Sequence, residues 1–380
     1  MTRDLRSDLG PLLADVQSLG VRVTGAVDGR RGGAGPSDAG MIWIEGAPVT
    51  FPFSAEYVAG SPFELRPEDE AWGLYREGER VAGATLPHRP KFYGLTTSDG
   101  IPYWKIALLH LDSLASTVIQ TCVWWGTDDQ CAFCGIELSL EAGRTVTVKK
   151  PHHLAEVAAA AKELDGAVDV TLTTGTTRGA DRGARYLGRC AAAIKASCGL
   201  PVQAQFEPPD PPDDRSVFEE IRDKGVDAVG MHVESFDPEV LARVAPAKAR
   251  TGIEGYFAAW ERAVEVFGRG QVSTYVILGM GEDRRTTIDG IKRAVDAGVY
   301  PFVVPLRPVP GSLMEDFVPP PAAEVESVYR EVAPYLSQRG LRSSDVKAGC
   351  ARCQACSGMA AFERDPSVSN RRHLPLLRTS

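Results

Sequence analysis

Short apolar runs alternate with longer, striped segments over the central part of the chain. The runs ASTVIQT, AVDVTLTT, LPVQAQF, DAVGMHV, QVSTYVILG and VYPFVVPL are rich in β-branched residues and bounded by Gly or Pro, which predicts strands. Apolar positions at helical spacing predict helices over 154–164, 184–197, 217–224, 253–267 and 286–297. This alternation predicts an α/β fold, with a parallel sheet of right-handed βαβ units forming a partial (β/α)6 barrel.

The segments on either side of this region have a different pattern. A helix is expected to reach about residue 19, and short strands follow in VRVTGAV, GMIWIEG and APVTFPF. We therefore predict an N-terminal α+β domain over 1–113, the partial barrel over 114–318 and a C-terminal extension over 319–380. The extension begins with the proline-rich VPPPAAE and a helix over 324–338.

The stretch GRRGGAGPSDAG lacks the residue order of a phosphate-binding P-loop and leads into a strand. Two interpretations stay open for it. One is a substrate-side loop that carries Arg30, Arg31, Ser37 and Asp38, and the other is a plain connecting loop.

Composition narrows the functional class. A content of 43% hydrophobic and 24% charged residues is typical of a globular protein. The net charge of −8 argues against a general nucleic-acid binder, which would need a basic face. No secretion signal is found, and no apolar run approaches the roughly 18–20 residues that span a bilayer. We expect a cytoplasmic protein without a membrane or nucleic-acid partner.

Six of the eight cysteines form two triplets, which favours metal ligands over disulfides in a reducing compartment. The first triplet is Cys122, Cys131 and Cys134, a C-x8-C-x2-C pattern just past the first predicted barrel strand. A structural zinc site needs a fourth ligand, for which His152 or His153 is a candidate. Three cysteines fit a [4Fe–4S] cluster better, because the fourth iron is then open to bind a cofactor directly.

At this point the chain resembles the radical SAM superfamily, whose usual signature is C-x3-C-x2-C with an aromatic residue before the last cysteine. Here the first gap is longer, and Phe133 is the aromatic residue. The strand end TTGT and the runs GMHVES, YVILGMGED and VPLRPVPGS are similar to further motifs of the superfamily, although Tyr275 replaces the first Gly of G-x-I-x-G-x-x-E. The resemblance implies that the cofactor contacts are Phe133, Thr174, Gly175, Thr176, Glu234, Ile277, Gly279, Glu282 and Arg307.

The second triplet is Cys350, Cys353 and Cys356 in CARCQAC, a C-x2-C-x2-C run. It lacks the x3-C-P continuation of bacterial ferredoxins, in which the last cysteine ligates another cluster. We interpret it as the site of an auxiliary [4Fe–4S] cluster. Candidates for its fourth ligand are Cys190, Cys198, Ser343, Ser344 or the substrate.

Nearly the whole chain resembles one bacterial radical SAM family that is encoded beside a nitrilase-like hydrolase, with features similar to lipoyl and biotin synthases. The resemblance implies reductive cleavage of S-adenosylmethionine to a 5′-deoxyadenosyl radical, which abstracts hydrogen from a small nitrogen-containing metabolite. It further implies two [4Fe–4S] clusters and a flavodoxin- or ferredoxin-type electron donor. The auxiliary cluster would aid oxidation or rearrangement. Lipoyl-synthase-like sulfur insertion, a zinc-dependent barrel hydrolase and a non-catalytic Fe–S electron-transfer protein are the alternatives.

Overall fold

A computed structural model describes residues 5–25, 40–69 and 71–363 of the chain. Arg30, Arg31, Ser37 and Asp38 lie outside these residues. The described chain contains a six-stranded sheet near its N-terminus and a seven-stranded sheet after it. None of the described helices is long and apolar enough to cross a membrane.

The N-terminal sheet is mostly antiparallel and packs against the first helix. Helix α1 is Leu5–Leu19, and the strands are β1 Arg22–Val23, β2 Gly40–Ile44, β3 Ala47–Phe51, β4 Phe63–Pro67, β5 Trp72–Arg76 and β6 Glu79–Thr85. Their order is β1-β4-β5-β6-β2-β3. Leu13 and Val16 of α1 join Ile42 and Phe51 in one buried apolar cluster, which is why the helix lies on this sheet.

The seven-stranded sheet is the predicted partial barrel, and the α/β fold class is confirmed. Its strands are β7 Leu108–His110, β8 Ser113–Ile119, β9 Asp169–Thr174, β10 Val202–Gln205, β11 Ala228–Gly230, β12 Val272–Leu278 and β13 Val299–Pro305. They follow one another in sheet order, and all pairs are parallel except β7 with β8. The helices are α2 Tyr103–Ile106, α3 Leu138–Glu141, α4 Pro151–Asp165, α5 Ala184–Cys198, α6 Arg215–Asp223, α7 Pro238–Val244, α8 Pro246–Phe267 and α9 Arg284–Asp296.

The two faces of this sheet differ in polarity. Leu172, Ala204 and Val229 lie in register on one face and belong to the main apolar core, against the helices. On the other face Thr173 is in register with Gln205, and its hydroxyl lies 3.0 Å from that of Thr117. The strands therefore enclose a polar interior, and residues at their C-terminal ends face its mouth.

The C-terminal segment covers the opposite end of the barrel. Helix α10 is Ala322–Gln338 and the short helix α11 is Cys350–Cys353. Next to β12, the Gln271 side chain accepts from the Lys347 backbone N–H at 3.0 Å and donates to the Asp345 carbonyl at 2.9 Å. Because Gln271 immediately precedes β12, the segment that leads to the second triplet lies at the N-terminal ends of the parallel strands.

Candidate active site and second cysteine triplet

The first cysteine triplet lies on the loop that follows β8, at the C-terminal ends of the strands. Cys131 and Cys134 belong to one tight turn, in which the Cys134 N–H donates to the Cys131 carbonyl at 3.1 Å. The Cys122 N–H donates to the Glu137 carboxylate at 3.0 Å. The Ala132 N–H donates to a carbonyl at the end of α7 at 2.7 Å, so the loop is held from two sides.

The end of β9 approaches this loop closely. The Val123 N–H donates to the Thr176 carbonyl at 3.0 Å. A Cβ atom at Gly175 would lie 2.0 Å from the Thr121 carbonyl oxygen, so only glycine permits this approach. The structure thus places the predicted residues Thr174 to Thr176 directly beside the first triplet.

A buried ion pair lies below the first triplet. Lys248 Nζ is 2.8 Å from Glu234 Oε1 and 2.7 Å from the His232 carbonyl oxygen. Burial alone would lower the pKa of Lys248, but the negative charge of Glu234 and weaker contributions from nearby groups, Cys131 among them, outweigh it and hold the ammonium charged. Sequence reasoning identified Glu234 and missed Lys248, because Lys248 comes from helix α8 rather than from a strand end.

Glu234 also has an unusual backbone. Its φ is 68°, a left-handed value that non-glycine residues adopt rarely and often at functional sites. Its N–H donates to the Tyr275 carbonyl at 3.1 Å, and its carbonyl accepts from the Ile277 N–H at 2.8 Å. These bonds to β12 hold the residue in that conformation and orient its side chain toward Lys248.

Gly279 and Glu282 lie in the turn after β12, and the Glu282 carboxylate is occupied by hydrogen bonds within that turn. Glu282 accepts from the backbone N–H groups of Gly279 and Met280, both at 2.8 Å. A Cβ at Gly279 would lie 2.6 Å from Pro320, and the residue has a φ of 98°. Glu282 therefore shapes the turn, whereas Ile277, two positions before Gly279, is the residue that remains on the interior face.

The guanidinium group of Arg307, predicted as a cofactor contact, is bonded to Thr50 of the N-terminal sheet. Its Nη1 donates to the Thr50 hydroxyl at 2.8 Å and its Nη2 to the Thr50 carbonyl at 2.8 Å. The Thr50 N–H in turn donates to the Ala355 carbonyl at 2.7 Å. Arg307 thus joins the barrel to the N-terminal sheet and, through Thr50, to the second triplet.

The long first gap of the triplet forms a loop that packs on α8. The guanidinium group of Arg250 pairs with Asp129 and lies 4.9 Å from the centre of the Trp124 ring. Gln130 accepts from the Gly126 N–H at 2.7 Å. Arg250 of α8 therefore holds this loop through Asp129 and Trp124. Phe133, between Cys131 and Cys134, packs against the main apolar core.

The second triplet is anchored by Arg352, which lies between two of its cysteines. The guanidinium bonds Asp112 at 2.6 Å and Asp169 at 2.5 Å, and the Asp169 side chain is fully buried. Asp169 also accepts from the Gly349 N–H at 2.8 Å. Asp112 precedes β8 and Asp169 begins β9, so these contacts hold the triplet at the N-terminal ends of the strands.

Cys350 contacts the barrel interior from the N-terminal ends of the strands. Gln205 Nε2 lies 3.5 Å from Cys350 Sγ. Burial raises the pKa of Tyr275 well above its ordinary value. The neighbouring thiols of Cys350 and Cys356 and a hydrogen bond with Cys350 raise it further. The Tyr275 ring also contacts His232 at a centroid distance of 4.6 Å. Tyr275, which departs from the family motif, therefore lies between the second triplet and the Glu234 ion pair.

Three of the four side chains predicted as a fourth ligand have other hydrogen-bond partners. Cys190 is fully buried in the core of α5, and Cys198 Sγ donates to the Ile194 carbonyl at 3.5 Å. The Ser343 hydroxyl donates to Glu363 at 2.9 Å, and the Ser344 hydroxyl lies 3.3 Å from Asp345. A different residue, His110 of β7, lies beside Cys353 and Cys356 at 3.8 and 3.9 Å.

The sulfur spacing is unlike that of a mononuclear zinc site. Among the described residues, only Asp99, His152 and His153 form a group of three ligand atoms within 4.8 Å of one another. The three sulfurs of either triplet are therefore spread more widely than that. Thiolates on one zinc lie about 3.8 Å apart, given Zn–S bonds of about 2.3 Å. Asp99 also accepts from Lys150 at 2.8 Å, and the His153 ring accepts from the Lys150 N–H at 3.2 Å, so these histidines stabilise the start of α4.

The thiols of the first triplet suit a bound metal cluster. Burial raises the pKa of the Cys134 thiol to about 11 and that of Cys131 above its ordinary range. Such thiols are inert without metal, whereas metal coordination deprotonates them. Three sulfurs on one turn and loop, beside a buried ammonium–carboxylate pair, fit a three-cysteine iron–sulfur cluster with one open position.

Comparison with known proteins agrees with this fit. Residues 126–295 match the model of the radical SAM superfamily, a segment that includes Cys131 and Cys134. Over 124 residues the chain is 30% identical to bacteriochlorophyllide c C-7(1)-hydroxylase of Chlorobaculum limnaeum. The aligned segment covers 32% of this chain and 31% of that protein. The chain thus spans less than a third of that relative's length.

Similar solved structures include methylornithine synthase, with a TM-score of 0.44 and 16% identity over 65% of this chain and 66% of that one. A radical SAM methyltransferase from Sphaerobacter thermophilus has a TM-score of 0.45 and 13% identity over 74% and 76% of the two chains. The match over 126–295, together with the first triplet that the barrel holds at its mouth, identifies a radical SAM domain in the chain and supports the predicted resemblance to that superfamily of enzymes.

Proposed function

We propose that the protein is a radical SAM enzyme that oxidises or rearranges a small nitrogen-containing molecule with the help of an auxiliary [4Fe–4S] cluster. The observation that carries this proposal is the arrangement of the two triplets around one barrel. The first triplet lies at the C-terminal ends of the strands, and Arg352 anchors the second at their N-terminal ends. Tyr275, His232 and the Glu234–Lys248 pair occupy the interior between them.

The ion pair matches the charges of the methionine part of S-adenosylmethionine. Glu234 would accept hydrogen bonds from the α-amino group, and Lys248 would donate to the α-carboxylate. Gly175 allows the strand end to lie against the cysteine loop, and Glu282 holds the β12 turn beside it. When bound, the first cluster and S-adenosylmethionine supply a 5′-deoxyadenosyl radical that removes one hydrogen atom from the substrate.

The interior suits a small polar substrate. His232 Nδ1 accepts from the Tyr275 N–H at 3.2 Å, so its Nε2 carries the proton. Burial and the charge of Lys248 lower the pKa of His232 to about 3, so the ring is neutral. Nε2 is buried and has no hydrogen-bond partner among the described residues, and a buried donor of this kind calls for an acceptor. A carbonyl or carboxylate oxygen of the substrate would supply one.

In the oxidative reaction the substrate radical would lose one electron and release one proton to water. The auxiliary cluster would receive that electron and pass it to an acceptor of the ferredoxin or flavodoxin class. This role requires a second redox centre near the interior, and the position of Cys350 beside Tyr275 and Gln205 supports it.

Anaerobic reconstitution tests the proposal directly. We expect about eight irons and about eight sulfides per chain in wild type, and about four of each after Cys350, Cys353 and Cys356 are replaced by Ala. Reduced wild type should release 5′-deoxyadenosine from S-adenosylmethionine, and Cys131→Ala should abolish that release. Cys198→Ala is the matched control, because this cysteine lies outside both triplets and should leave iron content and cleavage unchanged.

Three outcomes contradict the proposal. Zinc in place of iron would support the barrel hydrolase. Iron-replete protein that releases no 5′-deoxyadenosine on reduction would support a non-catalytic electron-transfer protein. Loss of sulfide from the second triplet during turnover would instead favour sulfur insertion.

A further inference from the structure

Two buried glutamines of β10 form a hydrogen-bonded chain that ends at the second triplet. Gln203 is fully buried and Gln205 is 7% exposed. Gln203 Nε2 donates to the Ser273 hydroxyl at 3.1 Å, and Gln205 Nε2 donates to Gln203 Oε1 at 2.8 Å. Gln205 Nε2 also donates to Cys350 Sγ at 3.5 Å, so both hydrogens of this amide are used. The chain therefore runs from β12 through β10 to a cysteine sulfur.

The direction of this chain decides which end of the Gln205 amide faces the sulfur. The Ser273 hydroxyl donates to the Val229 carbonyl at 3.5 Å, so its oxygen accepts from the Gln203 amide nitrogen. Gln203 then presents its carbonyl oxygen to Gln205, and this oxygen can only accept. Gln205 must therefore turn its NH2 group toward Gln203, which leaves the second hydrogen of that group for Cys350.

The surroundings of Cys350 support this contact. A Cβ atom at Gly349 would clash with Gln203 Oε1, and Gly349 has a φ of 97°, so only glycine lets the segment lie this close to the chain. A second donor comes from β12, where the Tyr275 hydroxyl bonds Cys350. The Tyr275 ring packs against Phe302 at a centroid distance of 4.9 Å, which fixes its direction. Two neutral donors of the barrel interior therefore meet at one sulfur.

We propose that Gln205 and Tyr275 raise the reduction potential of the auxiliary cluster by donating hydrogen bonds to the Cys350 sulfur. This inference rests on the proposed function, since it requires a [4Fe–4S] cluster at the second triplet. Hydrogen bonds to the sulfurs are among the factors that set the potential of such clusters. Reduction adds one negative charge, and a hydrogen-bond donor stabilises the more negative state more strongly. The two residues therefore favour the reduced cluster.

A raised potential determines the direction in which the electron moves. The substrate radical, from which one hydrogen atom has been removed, would give one electron to the auxiliary cluster and release one proton to water. Gln205 and Tyr275 both lie in the interior between the two triplets, on the side from which this electron comes. The auxiliary cluster then acts as an acceptor of electrons rather than as a donor.

The test uses the full-length chain with Cys131→Ala, so that the auxiliary cluster is measured alone in an EPR-monitored redox titration. Adding Gln205→Met or Tyr275→Phe should each lower the ratio of reduced to oxidised cluster at a fixed potential about tenfold, a shift of about 59 mV to lower potential for one electron. Tyr335→Phe and Gln338→Met are the matched controls. They should leave the potential unchanged, because the Tyr335 hydroxyl bonds Asp296 and Gln338 is exposed at the end of α10.

A second measurement separates a direct hydrogen bond from an indirect change in structure. After exchange into D2O, pulsed EPR of the reduced cluster should detect coupling to deuterium on the Gln205 amide and the Tyr275 hydroxyl. Each single variant should weaken this coupling, and the double variant should weaken it most. A lower potential with unchanged deuterium coupling would show that the effect is indirect and would overturn the inference.

The outcomes distinguish this inference from the proposed function. Bound iron with an unchanged or higher potential in either variant would overturn the role of that residue and leave the auxiliary cluster intact. Absence of iron from the Cys131→Ala protein would overturn the auxiliary cluster itself, and with it the proposed function. If Gln205→Met does not fold, Tyr275→Phe, which keeps the aromatic ring, decides the question.

Discussion

Replacement of Arg352 by Met should weaken the attachment of the second triplet to the barrel. The Arg352 side chain is 13% exposed, and its partners Asp112 and Asp169 are 14% and 0% exposed. Methionine keeps much of the side-chain volume but removes the charge and the hydrogen bonds. Two carboxylates, one of them fully buried, would then lose their common partner.

The magnitude follows from this burial. Removal of one partner of a buried ion pair costs roughly 3–5 kcal/mol, because a buried charge is left without compensation. An exposed pair is worth about 0–1 kcal/mol. Arg222→Met is the matched control, since the Arg222 side chain is 44% exposed and pairs with the adjacent, 68% exposed Asp223.

The variant should also change the pH dependence of stability. Burial raises the pKa of Asp169, while Arg352 opposes that rise, so the pKa should rise further in Arg352→Met. A raised pKa in the folded state means that the folded protein binds more protons than the unfolded chain, and stability falls as pH increases. The deficit of Arg352→Met relative to wild type should therefore be smallest at acidic pH and grow as pH rises.

Anaerobic urea unfolding of cluster-free protein, followed by circular dichroism at pH 5.5 and 8, measures both effects. Absence of iron separates protein stability from metal binding. Adding Asp169→Asn to Arg352→Met should recover part of the loss, since a neutral amide replaces the buried carboxylate. A deficit no larger than that of Arg222→Met, or one that does not depend on pH, would refute the reasoning.

Three further perturbations test other parts of the structure. Gly175→Ala should lower the iron bound at the first triplet, because its Cβ would lie 2.0 Å from the Thr121 carbonyl oxygen; an iron count close to wild type would contradict this. Burial lowers the pKa of Lys149 to about 7, so the folded protein binds fewer protons than the unfolded chain. Above pH 7 the stability of wild type relative to Lys149→Met should therefore rise by up to about 1.4 kcal/mol per pH unit. A difference in urea midpoint between the two proteins that is the same at pH 7 and 9 would exclude such a contribution. Arg307→Met removes two hydrogen bonds to Thr50, which should lower the stability by about 1.5–3 kcal/mol and speed limited proteolysis between the N-terminal sheet and the barrel. An unchanged cleavage rate would show that this contact is dispensable.

The sequence pattern alone predicted the barrel well. The six expected strands correspond to β8 through β13, and the expected helices lie at α4, α5, α6, α8 and α9. The helix predicted from residue 253 begins there because Gly252 has a φ of 71° and interrupts α8. Buried parallel strands and amphipathic helices produce strong local periodicity, which is why the prediction works here.

Other elements left too weak a signal. Strands β5 and β6 carry charged residues within short, half-exposed runs, so their alternation is difficult to distinguish from a loop. Strand β7 has three residues and forms only because it pairs with β8. The boundaries proposed at 113 and 318 remain predictions, although β7 already belongs to the barrel sheet before residue 113.

The sequence by itself determined where the cysteines cluster, which of them fall at a strand end and that no fourth cysteine lies near the first triplet. Only the tertiary structure decided what surrounds them. His110 lies far from Cys353 in the chain, Lys248 reaches Glu234 from a helix, and Arg307 bonds Thr50 of another sheet. Local patterns encode periodicity and turn chemistry over a few residues, whereas these contacts depend on strand order and register, which no short stretch of sequence specifies.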